Sequence, residues 1–141
     1  MLSHIEVIQK AKNQNLPCVL IFEDDVLFPL DFDSRFQECL NLLPDDWDLF
    51  YLSGTPKLTP QPINEAINKC FGMWGTFGYM IRESVYDFIL SELGRKRLTA
   101  DNCLLKISGL LNIYSARKKI ISHSAGYSYI AQKERNVQWL I

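Results

Sequence analysis

The chain has 141 residues, 48% of them apolar and 22% charged, with a formal net charge of −1. That is enough for one domain with a core (residues 1–141) and too short for two of ordinary size. A near-neutral balance offers no field to attract nucleic acid. No apolar run is long enough to span a bilayer and no basic n-region followed by an apolar h-region is found, so membrane contact is expected to be peripheral at most. Cys18, Cys39, Cys70 and Cys103 lie far apart without a paired spacing. They read as reduced thiols in a cytoplasmic setting.

In chain order, Ser3 and Glu6 fit a capping box that opens a helix running to about Asn15, with Ile5, Ile8 and Ala11 on its apolar face. Residues 18–22, Cys-Val-Leu-Ile-Phe, have the length and composition of a buried strand and stop at three consecutive acids, Glu23, Asp24 and Asp25. The carboxyl ends of strands are where open α/β sheets bind ligands. Three adjacent carboxylates repel one another unless a cation offsets them, and a divalent metal carrying phosphates would do so. Asp33 is expected to cap a second helix through about Leu42, and residues 47–52 form the next strand candidate, expected as a parallel neighbour of the first.

Three prolines between residues 55 and 68 predict a long surface loop, and the aromatic, glycine-rich stretch 71–81 a bent strand. Ser84 and Asp87 start a helix to about Leu93, broken by the basic run 94–97. Thr99 can cap another over 101–108, and residues 110–114 and 120–122 are short strand candidates. The last twenty residues show no clear period.

These residues carry a resemblance. Ser3-His4, the strand ending in Glu23-Asp24-Asp25, the stretch 43–48 with Pro44 and Trp47, the strand 75–81 with Gly75 and Tyr79, and Asp101 follow one another as in glycosyltransferase family 25. That group includes bacterial lipooligosaccharide galactosyltransferases and collagen galactosyltransferases, and the match spans about residues 3–105. The family has Ser-Asp-Ile near its carboxyl end, where this chain has Ser128-Tyr129-Ile130. The resemblance implies a GT-A-like α/β fold, a mixed sheet flanked by helices, lacking the amino-terminal part of the family domain. It implies transfer of a hexose, galactose foremost, from a UDP-sugar to a glycan or lipid-linked glycan acceptor, as in lipopolysaccharide biosynthesis, with Mn2+ or Mg2+ at the acidic motif.

Residue by residue, extended geometry continued past Phe22 would point Glu23 and Asp25 the same way as metal ligands and turn Asp24 aside toward the ribose, whereas the plainer alternative is that the three acids form a solvated turn after the strand or cap a following helix. Asp101 is the candidate base for the acceptor hydroxyl, although a first-turn acid after Thr99 is also what a helix dipole favours. His4 reads as a hydrogen-bonded structural residue, while His123 reads as an acceptor-site or loop residue. Trp74, Phe77 and Tyr79 form either a sugar platform or core. Two rival readings make distinct demands. A phosphorelay receiver also ends its first strand in such acids, but residues 48–53 end in serine where the phosphoacceptor aspartate is required. A non-catalytic remnant of the same fold would serve as a binding module, with a partner chain or self-association covering its open side.

Overall fold

A computed structural model describes residues 2–95, 98–124, 126–128 and 133–135. The chain opens with helix α1 (Leu2–Asn13), strand β1 (Cys18–Phe22), the short β2 (Val26–Leu27) and helix α2 (Phe32–Leu42). Strand β3 (Leu49–Tyr51) is followed by β4 (Thr55–Pro56), β5 (Gln61–Pro62), β6 (Ile67–Cys70), β7 (Met73–Trp74) and β8 (Gly78–Arg82). Helices α3 (Tyr86–Gly94) and α4 (Ala100–Lys106) then lead to β9 (Ile113–Ala116), β10 (Ser122–His123), β11 (Gly126–Ser128) and β12 (Lys133–Arg135).

Six strands form the main sheet in the order β1-β8-β3-β9-β6-β5, with β3 and β9 parallel and every other pair antiparallel. The expected parallel neighbours β1 and β3 run in the same direction, but β8 lies between them, antiparallel to both. Burial explains the order. The strands buried most continuously, β3, β8 and β9, occupy the middle, whereas β1 is mostly half-buried and takes the edge. The expected loop over 55–68 also holds structure: it contains β4 and β5, and β6 follows directly as an inner strand with Ile67 and Cys70 buried.

Alternation along the central strands splits the core in two. Leu49, Tyr51, Tyr79, Ile81 and Ile113 face Ile8 of α1, Ile89 and Leu93 of α3 and Leu104 of α4. Phe50, Leu52, Met80 and Tyr114 face the other way, toward Cys39 of α2 with Trp47, Ile120 and Ile121. The fold is therefore mixed α/β with helices on both faces of the sheet.

Helix starts depart from the expected caps. Ser3 falls inside the first turn of α1. Helix α2 begins after Asp31, whose carboxylate is taken by Arg35 at 2.7 Å instead of capping, and Asp33 lies in the first turn. Thr99 does occupy the cap position of α4. All four cysteines are unpaired, and among the described residues no helix is long and apolar enough to cross a membrane. Of the basic run 94–97, Lys96 and Arg97 lie outside the described residues, as do Tyr129 and Ile130.

Candidate active site

The carboxyl end of β1 does not stay extended. The amide of Glu23 still donates to the Phe77 carbonyl at 2.9 Å, but Asp24 and Asp25 form a turn that leads into β2. Alternation therefore does not align Glu23 with Asp25, which corrects that geometric expectation. Each acid has its own surroundings. Glu23 accepts a hydrogen bond on Oε1 from the hydroxyl of Thr76, a residue only 5% exposed. Asp24 is exposed at the turn. Asp25 is clamped by its backbone, its carbonyl accepting from the Ser124 amide at 2.8 Å, while β2 pairs with β10. Its Oδ1 is buried and has no hydrogen-bond partner among the described residues.

Behind Glu23 a ladder of rings crosses the sheet. His4 Nδ1 and the Tyr79 hydroxyl share a hydrogen bond of 2.7 Å, and Tyr79 stacks on Tyr51 with centroids 5.8 Å apart. Burial holds both phenols far above their ordinary pKa, with the charge of Glu23 adding to the effect on Tyr79 and that of Asp101 to the effect on Tyr51. Burial lowers the pKa of His4, and the negative charges of Glu23 and Asp101 pull it back upward. Both acids thus lie within electrostatic reach of one imidazole. The topology brings Glu23, Thr76, His4, Tyr79, Tyr51 and Asp101 to one neighbourhood, although they come from α1, β1, β3, β8, α4 and a loop.

Asp101 takes both of its hydrogen bonds on Oδ1, from Thr99 Oγ1 at 2.6 Å and from the Asn102 amide at 3.0 Å. Its Oδ2 is left without one among the described residues. The expected aromatic platform does not form as a unit: Tyr79 is fully buried, Trp74 is 42% exposed, and Phe77 stacks on His123 with centroids 4.2 Å apart. His4 is the hydrogen-bonded residue the sequence suggested. Thr76 and Tyr51 were not legible as site residues, the one signal being a small hydroxyl beside Gly75 in a strongly aromatic run.

The lowered pKa of His4 makes stability depend on pH. An unfolded imidazole binds its proton near 6.5, whereas the folded one resists it. Stability from the neutral, half-buried ring is therefore present above that pH and is lost as pH falls through it toward the lower folded value. Urea unfolding at pH 7.5 and 5.5 is expected to show a smaller acid loss in His4→Gln than in the parent. An equal loss in both would remove His4 as the cause.

Among the described residues, no three histidine, cysteine, aspartate or glutamate side chains converge into a group able to hold a metal unaided. A hard cation bound mainly by substrate phosphates needs only one or two carboxylates from the protein. The buried, unpartnered oxygen of Asp25 fits that requirement, with Glu23 two residues away.

The architecture is a mixed α/β sheet flanked by helices, with three acids just past the carboxyl end of its edge strand β1. Residues 1–104 match the model of glycosyltransferase family 25, described as a lipopolysaccharide biosynthesis protein, and the chain belongs to that family. It is 30% identical over 89 residues to procollagen galactosyltransferase 1-A of Xenopus laevis, covering 57% of this chain and 14% of that protein. It is 28% identical over 109 residues to the protein named "Probable inactive glycosyltransferase 25 family member 3" of Bos taurus, covering 75% of this chain and 18% of that one. The chain therefore spans less than a fifth of the length of either relative.

Proposed function

We propose that this chain carries the donor site of a metal-dependent glycosyltransferase that moves a hexose, galactose by analogy with its relative, from a UDP-sugar to a glycan or lipid-linked glycan acceptor. The observation that carries the reading is the buried carboxylate oxygen of Asp25, without a partner among the described residues, in a turn of three acids at the end of β1. Asp25 and Glu23 would hold Mn2+ or Mg2+, and Asp24, exposed beside them, would reach the ribose. A bound cation would neutralise the charge that develops on the leaving diphosphate.

The protein's own residues supply the rest. Thr76 fixes the Glu23 carboxylate by a hydrogen bond, and the His4–Tyr79–Tyr51 ladder, joined by a hydrogen bond and a ring stack, lies behind it. The unbonded Oδ2 of Asp101 would accept the proton of the acceptor hydroxyl, as an inverting transfer requires. Four unpaired thiols support a reducing, cytoplasmic setting.

Titrating UDP into the chain with and without Mn2+ tests the donor site. Binding is expected only with the metal, and Asp25→Ala should abolish it while leaving the circular dichroism spectrum unchanged. Metal-dependent binding that persists in Asp25→Ala would overturn the site. A second reading, a non-catalytic family member that binds a ligand without turnover, is favoured by the likeness to the Bos taurus protein over three quarters of the chain. UDP binding without release of UDP from any UDP-sugar would select it.

A further inference from the structure

Away from the acidic turn, a second pocket opens on the same edge of the sheet. Strands β3 and β9 are parallel, and the chain just past each carboxyl end lines a cavity of about 120 Å³: Ser53 and Gly54 after β3, Arg117 and Lys119 after β9, with Asn68 and Ser115 beside them. Among the described residues, no acidic side chain lines it. Ser53, 3% exposed, contributes a hydroxyl to the lining. Two of the pocket's polar groups lack what burial normally demands. The side-chain oxygen of Asn68 is buried and unpartnered among the described residues. Lys119 is half-buried with no carboxylate paired to it among the described residues, and that burial lowers its pKa. Ser115, 5% exposed, accepts from the Cys70 thiol at 3.1 Å and keeps its own proton free to donate.

An ammonium withdrawn from water without a counter-ion is costly unless an anion arrives. Arg117 adds a second cation, its Nη1 donating to the Asn64 carbonyl at 3.1 Å and its remaining donors unengaged among the described residues. A hydroxyl donor placed against the Asn68 oxygen would complete that orphan group, and the Ser53 hydroxyl on the pocket wall can donate to an acceptor beside it. Those three features describe an anionic sugar: a phosphate or carboxylate with a neighbouring hydroxyl. The volume decides against a nucleotide, since whole-ligand pockets run to about 300–1,000 Å³ while this one admits a single charged group and its neighbour.

We propose that this pocket is a subsite for the phosphate or carboxylate of a sugar, with Lys119 as its charge partner and Ser53 and Asn68 reading the adjoining oxygens. Three strand spacings separate β1 from β9 in the sheet, roughly 14 Å. That is the reach of a short oligosaccharide laid along the sheet edge. In the glycosyl-transfer reading, on which this assignment to the acceptor rests, the pocket selects an acceptor carrying an acidic group and holds it with its reacting hydroxyl toward Asp101. The anion site itself stands on the pocket alone.

The test titrates the full chain with glucose 6-phosphate, glucuronate, glucose and inorganic phosphate, followed by amide chemical shifts. Glucose 6-phosphate or glucuronate is expected to bind, to move resonances of residues 53–54 and 115–119, and to bind more tightly than glucose or inorganic phosphate. Lys119→Gln should weaken that binding by about tenfold, the loss of one charge-assisted hydrogen bond, with Lys119→Arg retaining most of it. UDP with Mn2+ should leave it undisplaced. Undiminished binding in Lys119→Gln, equal binding of glucose, or inorganic phosphate binding as tightly as the sugar phosphate would overturn the proposal. So would displacement by UDP, which would make the pocket a seat for the donor diphosphate. If UDP fails to bind while glucose 6-phosphate binds as described, the anion site holds and the transferase reading falls.

Discussion

Phe50→Ala is expected to lower the unfolding free energy by about 3–5 kcal/mol, the range for removing a buried aromatic ring and leaving a cavity. Phe50 is fully buried at the middle of β3, the strand that joins the antiparallel half of the sheet to its parallel partner β9. Its register neighbours are Met80 on one side and Tyr114 on the other, and all three side chains face the α2 side of the sheet. Rigid backbone on both flanks prevents collapse into the void, which places the site at the costly end of such substitutions. Against a total stability of about 5–15 kcal/mol, the loss is a large fraction. The urea midpoint should fall with the slope unchanged. Leu110→Ala, at a residue 75% exposed, should move the midpoint little and serves as the control. A loss below about 1 kcal/mol for Phe50→Ala would mean that the α2 face is not packed as described.

The elements that place the site were legible where the local pattern was unambiguous. An apolar pentad stopping at three acids could hardly be anything but a strand end, and Cys18–Phe22 is β1. Its neighbours were not legible, because pairing is settled by which strands are buried on both faces. The run Gly78–Arg82 wins the place between β1 and β3 through continuous burial, a property that emerges only once the helices are packed. Strand β6 was hidden because Asn68 and Lys69 interrupt its apolar ends and three prolines precede it. Alternation was extrapolated one step too far at Glu23 and Asp25, where the clamp between β2 and β10 turns the chain. His4 and Tyr79, 75 residues apart, share a hydrogen bond that no local spacing could announce. Lys119 gave no signal either, since a lysine among lysines reads as surface until its lack of a partner is seen.

Asp101→Asn separates the two readings of that residue. As a positioned base, the carboxylate must lose its charge to do its work, and the amide cannot take a proton. Under the proposed function, release of UDP from UDP-galactose, with water or a glycan as acceptor, should fall by roughly 10²–10⁴-fold, the usual contribution of a general base. Metal-dependent binding of UDP should be unchanged, because Asp101 lies on α4 while the proposed donor site is at the turn after β1. As a helix-start residue, by contrast, Asp101 works through Oδ1, which accepts from Thr99 and Asn102. Asparagine offers a carbonyl oxygen in the same place, so a purely structural role predicts a stability change of about 1 kcal/mol or less and undiminished turnover. The charge of Asp101 also supports the protonated form of His4, so removing it should lower the His4 pKa further. Imidazole resonances followed against pH would show that shift in the variant even if no acceptor gave turnover. A variant with full turnover and only the histidine shift would leave Asp101 as an electrostatic neighbour of His4 and would move the search for the base elsewhere on the same sheet edge.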